Sequence, residues 1–114
     1  MNYSFEEEKG IQILRIDTLL NPTDNLKLIE VIEGKIRQQQ CRFVIDLQLM
    51  DYMNSNGLTF LISILTRSRN AGGDVAIANL SANIKKILLI TRLQSAFSLH
   101  NSVEKALDFF MEQA

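Results

Sequence analysis

The sequence predicts an α/β domain: a mixed β-sheet opened by an N-terminal hairpin, with about four helices, in the order β-β-α-β-α-β-α-β-α. Three observations carry this reading. Two short segments, the second rich in aliphatic residues, flank Lys9-Gly10 as the arms of a hairpin flank its turn. The runs Phe43-Val44-Ile45 and Val75-Ala76-Ile77-Ala78 lack a helical stripe and read as strands buried on both faces. The segments between and after them repeat apolar residues at helical spacing.

Each element has its own signal. The hairpin arms span Tyr3 to Glu8 and Ile11 to Asp17. Asn21-Pro22-Thr23-Asp24 is a turn with helix-start chemistry, in which Thr23 or Asp24 caps the free amides. Leu28, Ile29, Ile32 and Ile36 form the inner stripe of the first helix, and Gln38-Gln39-Gln40 its frayed end. Arg42 to Leu47 is a central strand, followed by a loop over 48–54. Ser55 to Arg69 is a largely buried helix stopped by Gly72-Gly73, and Asp74 to Asn79 is the next strand. Ser81 caps a third helix with Ile84, Ile87 and Leu88 inward and Lys85 and Lys86 outward. Phe97 to His100 is a short edge strand. Asn101, followed three residues on by Glu104, has a capping-box pattern, and Val103, Ala106, Leu107 and Phe110 line the last helix.

The 114 residues suffice for one domain, expected over 1–114. With 12 basic and 13 acidic residues the charge is near zero, so no nucleic-acid footprint stands out. A lone cysteine, Cys41, excludes an internal disulfide and suits a reducing compartment. The polar, acidic start does not read as a signal peptide, and no apolar run approaches the ~20 residues of a membrane span. The expectation is a cytoplasmic module with no membrane or nucleic-acid contact.

Little points to catalysis. The single histidine, His100, lies near the C-terminus, and Cys41 reads as an inert thiol at a strand entrance. No Cys/His cluster has zinc spacing, and neither phosphate-binding glycine motif is present. No enzymatic activity, cofactor or metal is therefore expected. One alternative keeps a chemical role. Asp46 or Asp51, after a buried strand, superficially resembles the phospho-acceptor of a receiver domain, although Asp17 stands alone where a receiver has an acidic pair.

The informative stretch is Met53-Asn54-Ser55-Asn56-Gly57-Leu58. Small polar residues at a helix start are first of all a plain cap. This start, however, follows the carboxyl end of a buried strand, where open α/β folds present ligand or partner surfaces. The small neighbours of Ser55 leave its hydroxyl approachable by another protein.

These residues bring a resemblance. Val44-Ile45-Asp46-Leu47, then Asn54-Ser55-Asn56-Gly57-Leu58, then Ala71-Gly72-Gly73-Asp74-Val75 resemble the STAS domain family of bacterial anti-sigma-factor antagonists. Asn79-Leu80-Ser81, Ile84-Lys85-Lys86-Ile87-Leu88 and Thr91 are similar to the family's next segment, and Phe97 with Ser102-Val103-Glu104-Lys105-Ala106-Leu107 to its ending. No single motif is specific, but four occur in register over about residues 42–110. The sequence departs from the pattern at Asn54, Asn56, Asn21 and Arg92, where the family favours acid, serine, acid and glycine.

The resemblance implies a STAS-like fold and a switchable binding module without catalysis. Ser55 would be phosphorylated by a partner that is both anti-sigma factor and serine kinase, of the histidine-kinase-like ATPase type. A PP2C-type phosphatase would restore it. The contact face would hold Asn21, Pro22, Thr23, Asn54, Asn56, Gly57, Leu58 and Ser81 around Ser55. A monomer or weak dimer is expected. The alternative within the family is an unphosphorylated STAS scaffold subunit of a transporter or signalling complex.

Overall fold

A computed structural model describes residues 1–113 of the chain. The elements run β1 (Tyr3–Glu8), β2 (Ile11–Ile16), α1 (Pro22–Arg37), β3 (Arg42–Asp46), α2 (Ser55–Asn70), β4 (Asp74–Ala78), α3 (Ala82–Ile90), a 3-10 turn (Leu93–Ser95), β5 (Ser98–His100) and α4 (Val103–Glu112). The five strands lie in the order β1-β2-β3-β4-β5. β1 is antiparallel to β2, and every later neighbour is parallel. Lys9 and Gly10 both have positive φ, 55° and 79°, as a two-residue hairpin turn requires.

Parallel strands need helical crossovers, and the side-chain alternation decides where those helices pack. Leu14, Ile16, Phe43, Ile45, Val75 and Ile77 face one way and meet Leu28, Ile32, Phe60, Ile64, Ile84 and Leu88 of α1, α2 and α3. Ile11, Ile13, Val44, Ala76 and Ala78 face the other way and meet Ala106, Leu107 and Phe110 of α4. The result is a three-layer sandwich with one helix behind the sheet and three in front. Asp46 shares the α4 side by this alternation, and it is buried. Its carboxylate accepts from the Gln48 amide at 3.0 Å and from Asn79 Nδ2 at 3.0 Å, and pairs with Arg15 Nε at 3.4 Å.

The element order and types follow the sequence reading, with local corrections at the ends. Asn21, rather than Thr23 or Asp24, caps α1: its Oδ1 accepts from both of their amides, and Pro22 fills the first helical position. Ser102, rather than Asn101, caps α4 by accepting from Lys105 N, which moves Glu104 out of the capping-box position. β2, β3 and β4 each stop one residue earlier than expected, α2 runs one residue further, and β5 begins at Ser98. The 3-10 turn was not foreseen. It follows Arg92, whose φ of 62° stands where a glycine would be unstrained.

Gly72 and Gly73 stop α2 by a double backbone closure. Gly72 N donates to Arg69 O at 3.0 Å and Gly73 N to Ser68 O at 2.8 Å, with Gly72 at φ 89°.

His100 ends β5, half-buried, with Nε2 at 2.6 Å from Ser98 Oγ and its ring 5.1 Å from Phe109. Burial pulls its imidazole below the ordinary value of 6.5. The folded state therefore prefers the neutral ring, and the unfolded chain takes up the proton first as pH falls. The contribution is fully present above 6.5 and is lost as pH drops below it. Urea midpoints between about pH 7 and about pH 5 should accordingly fall less for His100→Gln than for wild type. Equal slopes would remove His100 from the acid sensitivity.

Candidate functional site

The β2–α1 and β3–α2 loops meet at the carboxyl end of the sheet, and backbone satisfaction shapes the junction. Asn54 is the N-cap of α2: its Oδ1 accepts from Asn56 N at 3.0 Å, and its carbonyl from Gly57 N at 3.0 Å and Leu58 N at 3.3 Å. Asn56 Nδ2 then donates across to Leu20 O at 3.1 Å, and Asn54 Nδ2 approaches the same oxygen at 3.5 Å. The two asparagines thus tie the start of α2 to the segment that leads into α1.

Ser55 lies between them as the first residue of α2. It is exposed, and among the described residues its hydroxyl makes no hydrogen bond. The capping work falls to its neighbours. α2 carries no acidic residue in its first turn, so the positive end of the helix dipole has no carboxylate of its own helix beside it.

The remaining expected contact residues divide in two. Asn21, Pro22 and Thr23 are exposed and directly follow Leu20. Ser81 caps α3, accepting from Ile84 N at 3.1 Å, and donates to Asp51 O at 3.3 Å, which brings the start of α3 to the same loop. Gly57 and Leu58 instead shape the site from inside. Gly57 is buried, and a Cβ there would sit 2.9 Å from Met53 Cβ and 3.4 Å from Leu19 Cβ. Leu58 is half-buried against the front core.

Sequence reasoning missed two features. Asn25 is buried in α1 with its Nδ2 donating to Leu19 O at 2.8 Å and Asn56 O at 3.3 Å. It joins three segments, and its signal was its place one turn ahead of Leu28 and Ile29 in the apolar stripe. The second is apolar exposure: Leu20, Leu49 and Tyr52 stand out of the two loops, Leu49 being 73% exposed. Met50 and Met53 point inward from the same loop and pin it. A cleft of about 160 Å³ separates α1 from α2 beside this face, lined by Pro22, Asn25, Leu26, Asn56 and Phe60 among others.

The receiver-like alternative fails on geometry. Asp46 is buried and already committed to three partners. Asp51 is exposed and its carboxylate takes a bond from Asn83 Nδ2 at 3.1 Å. Among the described residues no three His, Cys, Asp or Glu converge as a metal site would need. Among the described residues no helix is long and apolar enough to cross a membrane.

This small α/β module with an antiparallel first strand thus displays, at the carboxyl end of its parallel strands, an exposed serine that opens a helix capped by Asn54. The STAS domain family model matches residues 2–106, and the chain belongs to that family. It is 23% identical over 106 residues to BtrV of Bordetella bronchiseptica, a protein that carries the name of an anti-sigma factor antagonist, covering 93% of this chain and 91% of that one. The crystal structure of tm1081 from Thermotoga maritima, named in the same way, superposes with a TM-score of 0.85 at 16% identity, over 93% of this chain and 92% of that one. The anti-sigma factor antagonist SpoIIAA of Bacillus superposes in its unphosphorylated form with a TM-score of 0.77 at 13% identity, over 99% and 100% of the two chains. Its phosphorylated form gives 0.75 at 15%, over 96% and 99%. The fold is that of the anti-sigma-factor antagonists.

Proposed function

We propose that this chain is an anti-sigma-factor antagonist that binds an anti-sigma partner through the face around Ser55 and is released when Ser55 carries a phosphate. The carrying observation is the exposed Ser55 hydroxyl, free of internal hydrogen bonds, at the first position of α2. Asn21, Thr23, Asn54, Asn56 and Ser81 would supply polar contacts to the partner, and Pro22, Leu20 and Tyr52 apolar ones; Gly57 and Leu58 set the loop's shape. The partner would be a serine kinase of the histidine-kinase-like ATPase type, with a PP2C-type phosphatase reversing the modification. BtrV and SpoIIAA support this by their names, and SpoIIAA by having a phosphorylated form.

The physics makes such a switch economical. Phosphate adds about −1.5 to −2 charges at a helix start. The dipole there favours an anion, so the fold tolerates it. A partner surface fitted to a neutral hydroxyl does not, because the dianion is either desolvated or excluded. Each ~1.4 kcal/mol of that penalty weakens binding tenfold. In titrations against the anti-sigma partner, Ser55→Ala should bind within about twofold of wild type and Ser55→Asp at least about tenfold more weakly. Both variants should keep wild-type melting to within about 0.5 kcal/mol. An acidic variant that binds as tightly as wild type would reject the switch.

A further inference from the structure

The outer face of α3 combines features that a solvated helix does not need. Leu89 and Ile90 are 61% and 71% exposed, although each is a large aliphatic residue. Lys85, Lys86 and Arg92 border them, all exposed. Among the described residues none of these three cations has an ion-pair partner, whereas Arg15, Arg67 and Arg69 do. On a helical projection Leu89 falls between the two lysines and Ile90 beside Lys86. The inner face, Ile84 and Leu88, is spent on the front core.

The complementary surface is on the same molecule. Glu104, Asp108 and Glu112 of α4 stand at four-residue spacing in one exposed stripe, and none is ion-paired among the described residues. Met111, 43% exposed, borders the stripe on one side and Lys105 on the other. α3 and α4 are of similar length, 9 and 10 residues. They lie on opposite faces of the sheet, so one copy's α3 cannot reach its own α4.

We propose that copies of this chain associate head to tail, the basic-aliphatic face of α3 in one copy seated on the acidic stripe of α4 in the next. Lys85 and Lys86 meet the three carboxylates, and Leu89 and Ile90 are covered against Met111. A second copy is the occupant whose matching face the molecule itself carries. Such a contact uses two different surfaces, so a pair of copies leaves one of each unoccupied and association propagates beyond a dimer. The stack leaves Ser55 accessible. α4 is across the sheet from α2, and Leu89 and Ile90 are at the end of α3 remote from Ser81, which is tied to the Asp51 loop. The inference stands independently of the switch, though a stack would display Ser55 repeatedly and raise avidity for a multivalent partner.

Sedimentation velocity on the full chain tests it. The average mass should rise with concentration beyond a dimer in about 0.05 M salt, and the rise should be suppressed in about 0.5 M salt. Lys85→Glu/Lys86→Glu should weaken association at least about tenfold, and Asp108→Lys/Glu112→Lys likewise. Mixing the two reversed variants should restore it, because each reversed face then meets an opposite one. Leu89→Ser/Ile90→Ser, with every charge kept, should also weaken it. Circular dichroism confirms that each variant is folded. A wild type that stays monomeric, or associates without regard to the α4 reversal, overturns the proposal. So does one that remains monomeric but binds vesicles rich in phosphatidylserine through the same lysines.

Discussion

Gly73→Ala should cost about 4 kcal/mol or more, whereas its neighbour Gly72→Ala should cost only about 1 kcal/mol. The two glycines are adjacent but needed for unrelated reasons. Gly72 has φ 89°, and a Cβ there would meet nothing within 4 Å, so alanine meets only the left-handed backbone penalty. Gly73 has no such conformation. Its missing Cβ would lie 1.8 Å from the Cys41 carbonyl oxygen and 2.5 Å from the Cys41 carbonyl carbon. That neighbour is backbone and cannot turn aside. It also accepts the Asp74 amide at 3.2 Å, just where β4 begins to pair with β3. Relief would mean parting the two central strands. Stability for a chain of this size is on the order of 5–15 kcal/mol, so the loss is a large fraction of the total. Urea melts of the two variants side by side measure the contrast. Equal and small losses would show that the strand entrance yields more easily than its geometry implies.

The same pair shows where the sequence was legible. Gly72-Gly73 reads as a helix stop, and it is one; nothing local announces that the second glycine is required by a carbonyl some thirty residues earlier. Element types followed from periodicity because burial on one or both faces imposes it. Fine chemistry at the ends followed less well, since several cap-forming residues were adjacent and only the backbone path decides among them. Thus Asn21 caps α1 although Thr23 and Asp24 were equally eligible by type. The start of α2 at Ser55 was legible because small polar residues after a buried strand suit a helix N-terminus. That its neighbours Asn54 and Asn56 reach Leu20 O was not, because the bond spans two loops distant in sequence. The Arg15–Asp46 pair was equally hidden: it depends on the parallel register of β2 and β3, which strands read one at a time do not reveal. The departures from the family pattern become partly intelligible. An asparagine at position 54 caps as an aspartate would, and position 56 adds a donor that a serine hydroxyl is too short to extend as far.

Asn25→Asp should be the most damaging single change that leaves the site's shape on paper intact. Asn25 is 4% exposed, and its amide donates to two carbonyls, Leu19 O and Asn56 O. Those acceptors fix its orientation, since the reverse would set oxygen against oxygen. The remaining Oδ1 is buried without a partner in the described structure. A carboxylate of the same shape donates nothing. It confronts both carbonyls with a negative charge and leaves them unsatisfied. Removing a buried donor costs about 1–3 kcal/mol, and an uncompensated buried charge raises the total to about 3–5 kcal/mol. The cost should depend on pH in a definite direction. Burial and the facing carbonyls raise the new carboxyl's pKa above its unfolded value near 4, and the protonated acid recovers one donor. The variant's deficit relative to wild type should therefore shrink as pH falls from about 7 toward about 5. Asn25→Ala separates the contributions: it removes the donors without the charge, so its deficit should be smaller and nearly independent of pH. Because these bonds hold α1, the β2–α1 loop and the start of α2 together, partner binding by Asn25→Asp should fall even at temperatures where the protein stays folded. A deficit that is the same at both pH values, or the same for the two variants, would show that water reaches this amide and that the three segments are held by packing alone.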